Sequence, residues 1–285
     1  MSKDFVLTTN KNDIIRLTCF GIDNLNSSPC LIFVHGFKGF KDWGFFPYAG
    51  KYFAGKGYFV ITFNFSHNGI GRSLTEFDEP EKFAENTLSL ELDELLLVIK
   101  KYSEGYFGKV NNPEIALIGH SRGGAISILA AYRNDFVKAV VTWAAVSELD
   151  RFTDRQKKEW KEKGYFEVLN SRTNQLMRMN YSIVEDYEKN KTNKLNLKKA
   201  VSELNKPLLL IHGEQDLTVP LQEALDLKNL SSERLTRLEV IPATGHTFDI
   251  RHPFEGTNKK FDSVLEKTSE FITENLKRGK NDQQQ

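Results

Sequence analysis

Runs of consecutive apolar residues are the feature that most constrains how this chain can fold. Ile-Ala-Leu-Ile at 115–118 and Leu-Leu-Leu-Ile at 208–211 have no polar alternation. A strand that is apolar throughout needs cover on both faces, as in a parallel sheet between helices. With other β-branched runs, this pattern predicts strands over the following segments: 5–9, 14–20, 30–35, 58–65, 114–119, 137–145, 207–211 and 238–242.

Helical patterns separate most of these strands. Alternation of strand and helix predicts an α/β fold whose parallel strands are joined by right-handed crossovers. The first two strands have no helix between them, so we expect an antiparallel hairpin at one edge of the sheet. The helices are expected near 46–56, 81–103, 122–134, 220–230 and 258–277.

One long segment, residues 148–206, contains no convincing strand and interrupts this rhythm. It carries 14 Lys and Arg against 10 Asp and Glu, a local charge of +4, whereas the rest of the chain sums to −3. A connection of this length is typical of an inserted subdomain. We therefore expect a catalytic core formed by 1–147 and 207–278, a helical lid at 148–206, and a flexible tail at 279–285.

The overall charge and composition exclude several classes of protein. A formal net charge of +1 provides no field that attracts nucleic acid or an anionic membrane. The sequence shows neither an apolar signal segment at its start nor about 18 consecutive apolar residues, so we expect no membrane span. Cys19 and Cys30 are too few for a disulfide scaffold, which favours a reduced, cytoplasmic protein.

A Gly-His-Ser-Arg-Gly sequence at 119–123 follows an apolar strand and precedes a helical pattern. This context is typical of a nucleophile elbow, in which a tight turn exposes a serine above the sheet. The motif makes Ser121 the candidate nucleophile. It also places the amide of Arg122 at a helix N-terminus, where it can stabilise a developing oxyanion.

A serine nucleophile needs a base, and the base needs an acid to orient it. Asp216 and His246 each lie in a loop just after a later strand, so both are expected at the edge of the sheet that carries Ser121. Glu214 is a competing carboxylate and His252 a competing base. Asp216 and His246 are favoured because Glu214 directly follows a His-Gly turn and Pro253 biases His252 toward an extended, structural role.

A second oxyanion donor is expected in the loop after the strand at 30–35. The His35-Gly36 pair lets the backbone approach the substrate closely, and the amide of Phe37 is the favoured donor. A simple strand-to-helix turn is the alternative interpretation of this loop.

Together these motifs resemble the α/β-hydrolase superfamily. The segments that carry the resemblance span about residues 30 to 250 and are most similar to a compact carboxylesterase branch, which includes cinnamoyl and feruloyl esterases and is similar to serine-aminopeptidase-like hydrolases. The resemblance implies an eight-stranded, mostly parallel sheet, a Ser121–Asp216–His246 triad that uses no cofactor, and an oxyanion hole formed by the amides of Phe37 and Arg122. Serine at the elbow disfavours dehalogenase and epoxide-hydrolase chemistry, which use a carboxylate there.

Motifs typical of other functional sites are absent from the sequence. No zinc-ligand spacing, phosphate loop or metalloprotease motif occurs, so no metal site is expected. Apolar bulk in the insertion has two interpretations, the wall of a substrate pocket or the core of the insertion itself. The side chains concerned are Trp160, Tyr165, Met177, Met179 and Tyr181. Phe40, near the oxyanion loop, is a further candidate for the pocket wall.

The sequence therefore predicts a serine hydrolase of the carboxylesterase type (class EC 3.1.1) that cleaves small acyl or aromatic, hydroxycinnamoyl-type esters through an acyl-enzyme. The expected partner is a small-molecule ester, with no nucleic acid, and the expected assembly is a monomer or a homodimer. Two alternatives use the same triad, an aminopeptidase-like activity and a thioesterase or acyltransferase. An aminopeptidase would need an acidic group for the substrate amine, for which Glu185, Asp186 and Glu188 are candidates. A catalytically silent binding protein on this fold is an alternative of a different class.

Overall fold

The computed structural model describes residues 2–111, 113–170 and 174–276 and has the predicted mostly parallel, eight-stranded sheet. The tail that we expected at 279–285 lies outside these residues. The strands of the main sheet are β1 (Ser2–Thr8), β2 (Ile14–Phe20), β3 (Cys30–Val34), β4 (Phe59–Phe63), β5 (Ile115–His120), β6 (Val137–Trp143), β9 (Leu208–Gly213) and β10 (Thr236–Ile241), with β7 (Tyr165–Asn170) and β8 (Gln175–Asn180) forming a separate pair.

The order across the main sheet is β1-β2-β4-β3-β5-β6-β9-β10. All neighbours from β4 to β10 are parallel, whereas β1 pairs with β2 and β2 with β4 in the antiparallel sense. The expected hairpin at one edge is thus confirmed. Because strand order reverses on either side of β3, the carboxyl ends of β3, β5 and their neighbours open a crevice where such sheets bind ligands.

The apolar runs are explained by the burial of both faces of the sheet. All five residues of β3 are buried, with Ile32 in one apolar cluster and its neighbours Leu31 and Phe33 in a second cluster on the other face. Alternate side chains of a strand point to opposite faces, so two clusters require apolar residues at every position.

Helices cover both faces of the sheet. The helix expected over 81–103 is interrupted, because Asn86 is extended and the hydroxyl of Thr87 accepts a hydrogen bond from the amide of Leu90 (3.2 Å), which begins a new helix. The helices are α1 (Phe46–Gly55), α2 (Pro80–Glu85), α3 (Leu88–Ser103), α4 (Arg122–Arg133), α5 (Asp154–Lys163), α6 (Ser182–Asn190), α7 (Leu197–Ser202), α8 (Leu221–Leu230) and α9 (Lys259–Asn275).

The insertion between β6 and β9 is not wholly helical, and our expectation of no strand within it is wrong. It contains α5, α6 and α7, together with the antiparallel pair β7–β8. Its own core surrounds Trp160, which is buried, donates from Nε1 to the carbonyl of Met179 (2.9 Å) and contacts the rings of Phe152 and Phe166. In the part of the chain that the structure describes, no helix is both long and apolar enough to cross a membrane.

Candidate active site

Ser121 lies in the turn between β5 and α4, in a strained backbone conformation. Its φ of 56° and ψ of −125° are unusual for a residue with a side chain. The amide of Ser121 donates to the carbonyl of Trp143 (2.9 Å), and the carbonyl of Ser121 accepts from the amide of Gly124 (3.0 Å). These bonds hold the turn, and strain of this kind concentrates at functional sites.

The glycines on either side of Ser121 are required by close backbone packing. A Cβ on Gly119 would lie 2.4 Å from the carbonyl oxygen of Gly123, and a Cβ on Gly123 would lie 2.3 Å from that of Val34. Neither distance is possible for a real side chain. The two glycines therefore let α4 start directly against β5 and β3, which positions Ser121 at the crevice.

Asp216 and His246 form a hydrogen-bonded pair beside this turn. His246 Nδ1 donates to Asp216 Oδ2 (2.7 Å), while Oδ1 of the same carboxylate accepts the amides of Thr218 (2.8 Å) and Val219 (2.9 Å). Burial opposes ionisation of Asp216, but the bond and charge of His246 and the two amides outweigh it, so the pKa of Asp216 is below its usual range. The ionised carboxylate fixes the Nδ1–H tautomer of His246 and leaves Nε2 as the basic nitrogen.

The competing carboxylate and histidine are placed differently. Glu214 is exposed, and its Oε2 accepts the amide of Ala243 (3.0 Å) in the turn after β10. Nδ1 of His252 accepts the amide of Gly44 (3.0 Å), and its ring packs on Phe40. Both side chains therefore support loops rather than meeting Asp216 or His246.

Two further histidines support the pair through backbone carbonyls. His120 Nε2 donates to the carbonyl of His246 (3.0 Å), and His212 Nε2 donates to that of Val219 (2.8 Å). Burial, followed by the charge of His246, lowers the pKa of His120 to about 3, and burial lowers the pKa of His212 as well. Both rings are therefore neutral near pH 7 and serve as hydrogen-bond donors.

The loop after β3 packs directly on the Ser121 turn. A Cβ on Gly36 would lie 2.8 Å from Cβ of Ser121 and 3.3 Å from the amide nitrogen of Arg122. His35 Nδ1 donates to the carbonyl of Gly36 (2.9 Å), and burial lowers the pKa of His35 to about 4. Arg122 is the first residue of α4, so its amide has no partner within the helix. The amides of Phe37 and Arg122 thus belong to two backbone segments in contact.

Ser121, His246, Phe37 and Arg122 all line one cavity of about 420 Å³ between the crevice and the insertion. Its size is within the range of small-molecule sites. Asp150, Arg151, Asn170 and Tyr187 add polar groups to the lining. The apolar side chains that line it include Trp43, Phe46, Leu88, Val146, Leu149, Phe152, Met179, Ile183, Val184 and Val219.

Of the six pocket residues expected from the sequence, Met179 lines this cavity. The expectation is corrected for the other five. Trp160 and Met177 are buried in the core of the insertion, and Tyr181 packs against Trp160. Phe40 is buried against Phe77 and His252. Tyr165 lies beneath the cationic groups of Lys163 and Arg178.

Glu91, which the motifs did not point to, is a buried carboxylate that pairs with the side chain of Arg122. Glu91 lies on α3 between Leu88 and Leu92, within the buried stripe that continues to Leu95. Charged residues are rarely fully buried unless paired, so an acidic residue on the apolar face of a helix was a usable signal. Among the described residues, no group of three or more His, Cys, Asp or Glu side chains is arranged to hold a metal ion.

Solved structures similar to this chain include α/β-hydrolases. Est1E from Butyrivibrio proteoclasticus, in a structure with ferulic acid bound, is 19% identical with a TM-score of 0.74, covering 95% of this chain and 98% of that one. The α/β hydrolase GrgF from Penicillium sp. sh18 is 17% identical with a TM-score of 0.73, covering 97% and 99%. Mouse α/β hydrolase domain-containing protein 10 is 19% identical with a TM-score of 0.68, covering 95% and 99%. These identities establish the fold alone.

A sequence comparison identifies the family. The profile of the prolyl oligopeptidase family (Peptidase S9) matches residues 43–278, which include Ser121, Asp216 and His246. No curated protein matches the sequence significantly. The match extends over most of the chain, and the α/β-hydrolase fold that we expected is confirmed. The chain therefore belongs to the prolyl oligopeptidase family.

Proposed function

We propose that this protein is a serine hydrolase that cleaves carboxylic esters of compact apolar acyl groups through an acyl-enzyme. The observation that carries the proposal is that the strained Ser121 turn and the His246–Asp216 pair open into the same largely apolar cavity. Family membership and the esterases among the similar structures support the same reaction type.

The reaction follows from the roles that these groups can perform. His246 Nε2 takes the proton of Ser121 as Oγ attacks the ester carbonyl, and Asp216 stabilises the resulting imidazolium. The amides of Phe37 and Arg122 bind the oxyanion of the tetrahedral intermediate. His246 then protonates the departing alcohol, and water repeats the sequence on the acyl-enzyme with His246 again as base.

The cavity favours an acyl group without charge. Aromatic and aliphatic side chains dominate its lining, and its volume of about 420 Å³ suits a substituted aromatic ring or a short aliphatic chain. Ferulic acid is bound by the similar Est1E structure. We therefore include hydroxycinnamoyl esters, with short aliphatic esters, in the proposed substrate class.

Peptide hydrolysis is the second candidate, because family membership favours it. An aminopeptidase would need an acidic side chain free to bind the substrate amine. Asp150 is the acidic residue among the described lining residues, and it already pairs with Lys157. The carboxylate of Asp186 accepts the amide of Ser89 (2.9 Å), and that of Glu188 pairs with Lys191. Neither residue belongs to the described lining, nor does the exposed Glu185, so the ester is the better supported substrate.

The test is a panel of p-nitrophenyl esters from acetate to laurate, with methyl hydroxycinnamates and aminoacyl anilides. We expect turnover of the shorter or aromatic esters and a loss of at least about 10³-fold in kcat for Ser121→Ala. Ser232→Ala is the matched control, because Ser232 is exposed and is not among the described residues that line the cavity. Cleavage of anilides without esters would establish the peptidase instead. Failure of a fluorophosphonate to label Ser121 would establish a silent binding protein.

A further inference from the structure

A buried ion pair lies behind the Ser121 turn. Arg122 Nη2 contacts Glu91 Oε1, and the side chains are only 14% and 3% exposed. Asn86 Nδ2 donates to the same carboxylate oxygen (2.7 Å). An unpaired carboxylate this deeply buried would be strongly destabilising, so Glu91 holds the guanidinium of Arg122 at a fixed place relative to α3.

The same guanidinium packs on the ring of Phe37. Arg122 Cζ lies 4.8 Å from the ring centroid, which is within the range of a cation–π attraction. The ring of Phe37 also contacts that of Phe83 (5.6 Å between centroids). Arg122 Nε is buried and makes no hydrogen bond within the described residues.

One side chain thus connects the two residues whose amides are the proposed oxyanion donors. The backbone of Gly36, which precedes Phe37, is already in contact with the Ser121 turn. The side-chain contact adds a second link between Phe37 and Arg122, and Glu91 anchors that link to α3. Backbone and side-chain contacts thus both restrain the spacing of the two amides.

We infer that Glu91 is a positioning residue for the oxyanion hole and that it acts through the guanidinium of Arg122 and the ring of Phe37. This inference rests on the proposed function. Oxyanion donors stabilise the transition state only if they are held in place before the reaction, and a displacement of about 1 Å can cost about 100-fold in rate. Loss of Glu91 therefore affects the transition state more than the binding of substrate.

The central variants separate the charge of Glu91 from the stacking of Arg122. Glu91→Gln keeps the shape and one acceptor oxygen but removes the charge. Arg122→Lys keeps a cation for Glu91 but has no planar group to pack on Phe37. We expect each to lower kcat/KM by about 10-fold to 100-fold. If Arg122→Lys does not fold, the double variant Glu91→Gln, Arg122→Gln takes its place, with the same expected loss. This double variant leaves no charge at the position of the ion pair.

Glu94→Gln is the matched control. Glu94 is a second buried carboxylate on α3, but it accepts hydrogen bonds from the hydroxyl and the amide (2.8 Å) of Ser66 instead of pairing with Arg122. We expect kcat/KM of this variant to stay within about twofold of wild type, because the hydrogen bonds of Glu94 go to Ser66 and not to Arg122. A loss equal to that of Glu91→Gln would mean that α3 acts only through general stability, which overturns the inference.

Two ketones provide a readout that a merely structural role would not move. Ser121 Oγ adds to the carbonyl carbon of a phenylethyl trifluoromethyl ketone, its proton passes to His246, and the carbonyl oxygen becomes the oxyanion of a hemiketal. Phenylethyl methyl ketone measures binding of the neutral group. We expect Glu91→Gln and Arg122→Lys to weaken the first inhibitor in proportion to kcat/KM and to leave the second within about twofold. Equal weakening of both ketones, or of neither, would overturn the positioning role. If wild type does not prefer the trifluoromethyl ketone and Ser121→Ala retains turnover, the proposed function itself fails.

Discussion

The carboxyl-terminal end of the main sheet, with Ser121, Asp216 and His246, and the insertion hold their residues in place by different means. We call the first region the sheet edge. At the sheet edge, buried neutral histidines and glycines at van der Waals contact fix Ser121 and Asp216. The insertion packs around Trp160, and its buried side chains belong to the same apolar cluster as one face of the sheet. Exposed ion pairs, such as Lys194 with Asp93, add polar links. All six histidines of the chain lie outside 148–206. The comparison indicates that the proposed reaction geometry belongs to the sheet edge, whereas the insertion supplies one wall of the cavity.

The largest expected effect on activity comes from a substitution of Asp216, the proposed acid at the sheet edge. Asp216→Asn removes the charge that orients His246 and favours the wrong tautomer, so we expect kcat to fall by about 10⁴-fold with the fold retained. The measurement is ester hydrolysis at saturating substrate. Glu214→Gln, at the exposed carboxylate nearby, should keep kcat within a few-fold. An equal loss in both variants would show that Asp216 is not the acid.

The next effect tests whether the insertion unfolds by itself. Trp160→Ala removes the centre of its core and should cost about 3–5 kcal/mol. We expect faster hydrogen exchange at 154–170 and 174–190 with the exchange of β5 and β6 unchanged. Trp143→Ala, in β6, should instead destabilise the whole chain in a single transition. If Trp160→Ala accelerated exchange in β5 equally, the two regions would form one cooperative unit.

Acid sensitivity should belong to the sheet edge. His120 has a pKa of about 3 when folded against 6.5 when unfolded, so between these values the unfolded chain binds a proton that the folded chain does not. The contribution of His120 to the free energy of unfolding is therefore fully present above pH 6.5 and is lost as pH decreases toward 3. We expect His120→Gln to reduce the slope of Tm against pH between 6 and 4. An unchanged slope would contradict the assignment, since His35, with a pKa of about 4, would then carry the effect.

The smallest effect concerns the polar links of the insertion. Lys194→Ala removes an exposed pair with Asp93 and should cost less than about 1 kcal/mol. The cost should decrease further in high salt, because exposed pairs are screened. Denaturant unfolding at two ionic strengths measures it. A larger cost that is independent of salt would show that the insertion depends on this pair more than on its own core.

The sequence predicted the sheet and the sheet edge well because local and tertiary requirements agree there. A strand buried on both faces must be apolar throughout, and the glycines around Ser121 are required by backbone packing. In the insertion, apolar bulk shows that a core exists but does not show which side faces the cavity. Met179 and Met177 alternate on β8, yet only Met179 lines it. In the pair β7–β8, Leu169 lies opposite Leu176 and both are exposed. The two strands therefore lack the regular alternation of apolar and polar residues that would have predicted them.

The pairing of β6 with β9 across the whole insertion determines when the proposed site can be complete. Phe37 and Ser121 precede the insertion, whereas Asp216 and His246 follow it. Chains fold from the N-terminus during synthesis, so the proposed nucleophile and oxyanion donors leave the ribosome well before the proposed acid and base. A growing chain that has not yet added β9 and β10 contains a serine without its base. Completion of the sheet is thus also the step that assembles the proposed site, and we expect a product truncated before β9 to be inactive.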